Sequence, residues 1–197
     1  MLQKYKLVIT GLGNPIPAYE NTWHNTGKEA LIKFTKFLQS KNNCSQTTVQ
    51  TKNEFTIMHF KHEYNDIKIL IPNNIYMNTI GLYLCQHIPH DSILITLYDD
   101  IDIEINKIKV TTNPNKTHKG VLSIINNCKT RVKKFIWLKI GIKTEIYTNH
   151  YKHRLKDYVL TRIPNIYKNQ LANNVYTKIN YILTTFIKSP ALAMHGY

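Results

Sequence analysis

Acidic side chains are scarce in this chain: 12 Asp and Glu stand against 26 Lys and Arg over 197 residues, for a formal charge of +14. That imbalance argues against a polycationic partner and for a polyanionic one, nucleic acid before an anionic membrane. Cysteine is equally sparse. Cys44, Cys85 and Cys128 are odd in number, widely separated and without a Cys-x-x-Cys pair, which excludes a disulfide framework or zinc ribbon and fits reduced thiols in an intracellular protein. No apolar run reaches the length of a membrane span. The segment Met1–Tyr5 is too short and polar for a cleavable signal, so a cytoplasmic or mitochondrial location is expected. Linker-like composition and internal repeats are also missing. One domain is therefore expected over residues 1–188, with an ordinary 43% apolar content and a mobile tail over 189–197.

What is present is concentrated between Lys6 and Asn25. Leu7, Val8 and Ile9 read as a buried strand that Gly11, Gly13 and Pro15 stop abruptly. A polar loop follows, at the kind of strand end where open α/β sheets hold ligands. A dinucleotide fingerprint would need a third glycine at position 16, which is isoleucine. Past His24, the spacing of Ala30, Leu31, Phe34, Phe37 and Leu38 predicts an amphipathic helix over 25–40, with Lys28, Lys33 and Lys36 facing water. Residues 41–52 read as loop. Phe55–Phe60 and Ile67–Ile71 read as a hairpin, and 79–87 as a helix. Ile93–Tyr98 is an apolar strand that delivers Asp99, Asp100 and Asp102 at its end. Strands over 107–112 and 135–142 and helices over 119–128 and 165–188 complete the pattern. The alternation predicts an α/β fold: a single domain with a twisted, mixed sheet flanked by helices.

Three loops, Asn14–Asn25, Tyr76–Asn78 and Tyr98–Asp102, then carry polar groups toward one sheet edge. Activating a water near neutral pH calls for a base that titrates there, and histidine has the suitable pKa. His24 is thus the candidate general base. Asp99 is the carboxylate that would fix its tautomer, with Asp100 the fallback. Asn14 and Asn78 offer neutral amide donors and acceptors. Of the nine histidines, His59 with His62 and His150 with His153 have metal-like spacing, but no third ligand matches, so no metal or other cofactor is expected.

Gly-Leu-Gly-Asn-Pro at 11–15, Tyr19, His24-Asn25, Met77-Asn78 after a proline-terminated strand, Asp99, His118 with Gly120, and Leu-Lys-Ile-Gly-Ile at 138–142 together resemble, in order, the bacterial-type peptidyl-tRNA hydrolases. The resemblance implies their fold and hydrolysis of the ester between a peptide and the terminal ribose of tRNA. It implies that Asn14, Tyr19, Met77, Asn78 and His118 shape the substrate site. It also implies that Lys107 or Lys109, and Lys139, meet tRNA phosphate.

Between Glu104 and Glu145 there is no acid at all, while basic residues accumulate. Lys107, Lys109, Lys119, Lys133, Lys134 and Lys139 from this stretch are the candidate tRNA contacts, and a monomer is expected. The sequence departs from the family pattern at three places. Thr111–Thr117 replaces a glycine-rich loop, Lys119 stands where asparagine is usual, and Trp23 where arginine is. Two other classes remain to be discriminated: an RNA-binding protein on the same fold without turnover, and a small-molecule esterase, which would need no such charge.

Overall fold

In a computed structural model that describes residues 6–41, 45–63 and 65–195, strands and helices form one α/β domain around a seven-stranded sheet. The strands are β1 (Lys6–Gly11), β2 (Ser45–Thr51), β3 (Phe55–His62), β4 (Asn65–Pro72), β5 (Ser92–Glu104), β6 (Ile108–Thr111) and β7 (Val132–Lys143), in spatial order β2-β3-β4-β1-β5-β7-β6. β1 runs parallel to β4 and β5, and β5 parallel to β7. The hairpin partners β2, β3 and β6 are antiparallel. The mixed sheet expected from the sequence is present. Its parallel centre brings the carboxyl ends of β1, β4 and β5 to one edge.

The helices are α1 (Thr26–Ser40), α2 (Ile80–His87), α3 (Lys119–Cys128), α4 (Leu155–Leu160), α5 (Asn165–Gln170), α6 (Tyr176–Lys188) and α7 (Pro190–His195). α1 and α6 cover one face, where Phe34, Leu38, Ile179 and Phe186 meet Ile9, Ile95 and Leu138. α2 and α3 cover the other, where Leu84 and Ile124 meet Val8, Leu94 and Trp137. Period-two alternation therefore sends successive β5 residues to different cores.

Several elements differ from the sequence reading. β2 lies in the stretch expected as loop. Its Thr48–Thr51 side chains are exposed, so no apolar period marks it, and pairing with β3 organises it. β5 continues past Tyr98 to Glu104, so the aspartates lie within the strand. The helix expected over 165–188 is interrupted by a π-helical turn, Leu171–Val175. Where a mobile tail is expected, α7 buries Ala193 in the core; Gly196 and Tyr197 lie outside the described residues, as does Cys44. Cys85 and Cys128 are free thiols. His59 and His62 stand on a strand, where a three-residue separation turns side chains to opposite faces. Lys33 and Lys36 are exposed as expected, but Lys28 is buried at 2% exposure. No helix among the described residues is long and apolar enough to cross a membrane.

Candidate active site

His24 lies in a short 3-10 turn, Trp23–Asn25, between the β1 loop and α1. Two glycines let that turn come close to the sheet. A Cβ on Gly11 would overlap the Gly27 carbonyl, and one on Gly27 would overlap the Leu97 carbonyl. Trp23 secures the outer side. It is buried and stacked on Tyr158 of α4 at 5.4 Å, and its N–H donates to Thr161 O. The tryptophan that departs from the family pattern thus pins the histidine turn to the α4 segment.

The alternation along β5 separates its neighbouring carboxylates. Asp99 turns to the α1 side, and His24 Nδ1 lies 3.0 and 3.1 Å from its two oxygens. Asp100 turns to the α3 side, pairs with Lys139 Nζ at 3.1 Å and accepts from Asn115 Nδ2 at 3.4 Å. The register thus sets Asp99, and not the fallback Asp100, against His24. Asp102 is exposed, and its N–H donates to Asp100.

Asp99 has a second histidine. His118 Nε2 lies 3.3 Å from Asp99 Oδ1, while His118 Nδ1 accepts the Val121 N–H as the N-cap of α3. Because Nδ1 is an acceptor, the proton of neutral His118 belongs on Nε2, directed at Asp99. His24 has the opposite tautomer: Nδ1–H donates to Asp99, and Nε2 keeps its lone pair. Burial disfavours a charged His24, yet the charge and hydrogen bond of Asp99 outweigh it and raise the pKa above the ordinary 6.5. Burial pushes the Asp99 pKa up, but the two histidines more than reverse this and hold it well below the carboxylate range. His24, Asp99 and His118 are also the described residues whose ligand atoms, all within 4.8 Å of one another, could hold a metal ion. Such an ion would have to displace both ring N–H donors.

Next to the histidine turn, Asn14 is clamped to Asn25. Its N–H donates to Asn25 Oδ1 at 2.7 Å, and its carbonyl accepts from Asn25 Nδ2 at 3.2 Å and Lys28 Nζ at 3.3 Å. Its Oδ1 accepts the Met77 N–H at 3.1 Å, which leaves Nδ2 as the donor of its amide. Met77 is buried, Asn78 is exposed, and Tyr19 meets the exposed Tyr76 edge-on at 6.1 Å. Burial lowers the Lys28 pKa to about 8, a shift worth about 3 kcal/mol. Between about pH 8 and the unfolded value of 10.5, the unfolded chain binds more protons at this site, so Lys28 makes stability rise with pH there.

Beyond His118, a cavity of about 220 Å³ is lined by His24, Asp99, Ile101, Asn115, Thr117, His118, Lys119, Leu155, Lys156 and Val159. The loop that bounds it is fastened: Asn115 N–H donates to Tyr98 Oη, and Asn115 Oδ1 accepts from Thr117 N–H and Oγ1–H. A larger cleft of about 400 Å³ opens at the amino ends of β1 and β4, lined by Lys6, His59, Lys61 and Lys68 among others, and includes neither His24 nor His118.

The structure therefore brings His24, Asp99, His118, Asn14, Met77 and Lys119 together. Lys109 faces Lys139 across β6 and β7; Lys107 is exposed at the start of β6. Lys133 and Lys134 are not part of this group. Lys134 pairs with Ile93, about 20 Å down the strand from Asp99 at 3.3 Å per residue. A register shift leaves Lys133 out of the ladder with β5. Asn25, Lys28, Asn115 and Lys156 are site residues to which the sequence analysis assigns no role. Asn25 alone carries a local signal, its place in the His-Asn pair.

Residues 8–196 match the family model described as Peptidyl-tRNA hydrolase. The chain is 28% identical to the peptidyl-tRNA hydrolase of Thermodesulfovibrio yellowstonii, covering 97% of this chain and 98% of that protein. It is 33% identical to that of Phytoplasma australiense, over 93% and 92%. The crystal structure of peptidyl-tRNA hydrolase from Acinetobacter baumannii superposes with a TM-score of 0.71 at 19% identity, covering 96% of this chain and 92% of that one, a likeness of fold. With the match running from the first strand into the last helix, the chain belongs to the peptidyl-tRNA hydrolase family.

Proposed function

We propose that the protein hydrolyses the ester between a peptide and the terminal ribose of peptidyl-tRNA, returning tRNA from aborted translation. The observation that carries this reading is that two histidines meet Asp99 through different ring nitrogens, His24 by Nδ1 and His118 by Nε2, so that His24 Nε2 is the basic nitrogen beside a cavity. His24 Nε2 takes a proton from water as its oxygen attacks the ester carbonyl. Asp99 stabilises the imidazolium so formed, and the same proton then passes to the leaving ribose oxygen. Asn14 Nδ2 serves the peptide carbonyl or its developing oxyanion. Tyr19, Met77 and Asn78 shape the peptide side.

The cavity beyond His118 suits the other half of the substrate. Ile101, Leu155 and Val159 offer an apolar wall, and Lys119 and Lys156 supply cations for a terminal phosphate. Lys107, Lys109 and Lys139 extend the basic surface across β6 and β7, with Lys133 and Lys134 at its far end. Lys139 shares its charge with Asp100. Water activation by His24 needs neither metal nor cofactor, so a chelator should leave the rate unchanged. The protein is read as a monomer.

The test is release of N-acetylaminoacyl groups from tRNA by the purified protein, with free aminoacyl-tRNA alongside. Rapid release from the blocked substrate, abolished by His24→Ala, is the expected result. Salt-sensitive tRNA binding without release would make this an RNA-binding protein on the same fold. Release indifferent to tRNA would make it a small-molecule esterase.

A further inference from the structure

Lys28 is the most exceptional buried group outside the histidine cluster. It is 2% exposed, and among the described residues no carboxylate lies within ion-pair distance. Its ammonium reaches two backbone carbonyls, Asn14 O at 3.3 Å and Asn73 O at 3.5 Å, both long for such bonds. Its stem packs on the β1 loop, where a Cβ on Gly13 would come within 2.6 Å of Lys28 Cβ. An uncompensated buried ammonium opposes folding, and an apolar side chain of similar volume is the more stable choice at such a place. Stability therefore does not account for the lysine. What it does accomplish is specific: it joins the loop after β1 to the loop after β4, the two segments also joined by Met77 N–H to Asn14 Oδ1.

We propose that Lys28 is a positioning residue: its ammonium draws these two loops together and thereby fixes the Asn14 amide against the substrate. The consequence for catalysis rests on the hydrolase reading; the consequence for the loops does not. With Lys28 in place, the Asn14 backbone carbonyl is held by two donors, Lys28 and Asn25, and its side chain is oriented by Met77. With an apolar residue instead, Asn73 O loses its link to Asn14, and the side-chain amide at the ester is less well aimed. Misplacement by a fraction of an ångström to an ångström at a reacting centre costs rate rather than affinity.

The experiment compares wild type, Lys28→Met and Lys28→Gln by amide hydrogen exchange, thermal unfolding and hydrolysis of N-acetylaminoacyl-tRNA. Lys28→Met should speed exchange at the Met77 N–H, keep or raise the Tm, and lower kcat by about 10- to 100-fold with little change in KM. Lys28→Gln, which retains donors, should recover part of the rate. Unchanged exchange at Met77, or unchanged kcat in an active enzyme, overturns the proposal. So does a fall in Tm with faster exchange throughout the domain, which would make Lys28 a folding residue only. If the wild type releases nothing, the hydrolase reading falls, and local exchange at Met77 with an undiminished Tm still decides the positioning claim.

Discussion

The loops at Asn14 and before His118 are tied to different parts of the fold. On the Asn14 side the backbone itself is captured: both peptide groups of Asn14 are bonded to Asn25 and Lys28, and the side chain to a backbone N–H. On the His118 side Asn115 of the Thr111–Thr117 loop is tied to β5, its N–H donating to Tyr98 Oη and its Nδ2 to Asp100. The first arrangement leaves one donor in one place. The second leaves a cavity with an apolar wall and two lysines. Taken with the proposed chemistry, this assigns precision to the peptide side, where the ester is polarised, and tolerance to the tRNA side.

The largest expected effect is at His24: His24→Ala should lower kcat by about 100- to 10,000-fold while tRNA binding stays close to wild type. Asp99→Asn comes next, with a loss of about 100-fold or more. It also bears on pH. The active form of His24 is neutral, so the rate falls as pH drops through its raised pKa, and the acid limb in wild type lies above 6.5. Asp99→Asn removes the cause of the elevation and should move that limb to lower pH in a pH–rate profile.

The two sides can then be separated directly. Asn14→Ala should act mainly on kcat, by about 10- to 100-fold. Lys119→Ala with Lys156→Ala should act mainly on KM and flatten the salt dependence of tRNA binding by about one unit of slope per lost phosphate contact. Equal effects of both on kcat and KM would dissolve the distinction. The smallest effect belongs to Lys133→Glu and Lys134→Glu, which lie at the far end of β7 and should change binding alone.

Legibility in the sequence follows the range of the interactions. Gly11 to Asn25 reads plainly because the strand, its stop and the histidine turn are local, and the approach of α1 to β1 rests on Gly11 in that stretch and Gly27 just beyond it. The choice between Asp99 and Asp100 needs the face each presents, which only the β5 register supplies. Lys28 reads as a solvated helix position because apolar periodicity marks only the face that contains the core. Its burial comes from two loops 14 and 45 residues away. Asn115 is anonymous in a run of Thr, Asn and Pro, since its partners Tyr98 and Asp100 are 17 and 15 residues back. Trp23 reads as a departure and becomes intelligible once Tyr158 is stacked on it.

The most direct measurement is of the ring protons themselves, by nitrogen-15 NMR of protein labelled at histidine and titrated through neutral pH. The account predicts opposite tautomers on one carboxylate: His24 protonated on Nδ1 with a basic Nε2 that titrates above 6.5, and His118 protonated on Nε2 with Nδ1 an acceptor. A proton on His24 Nε2 in the neutral form would leave no base facing the cavity and would contradict it.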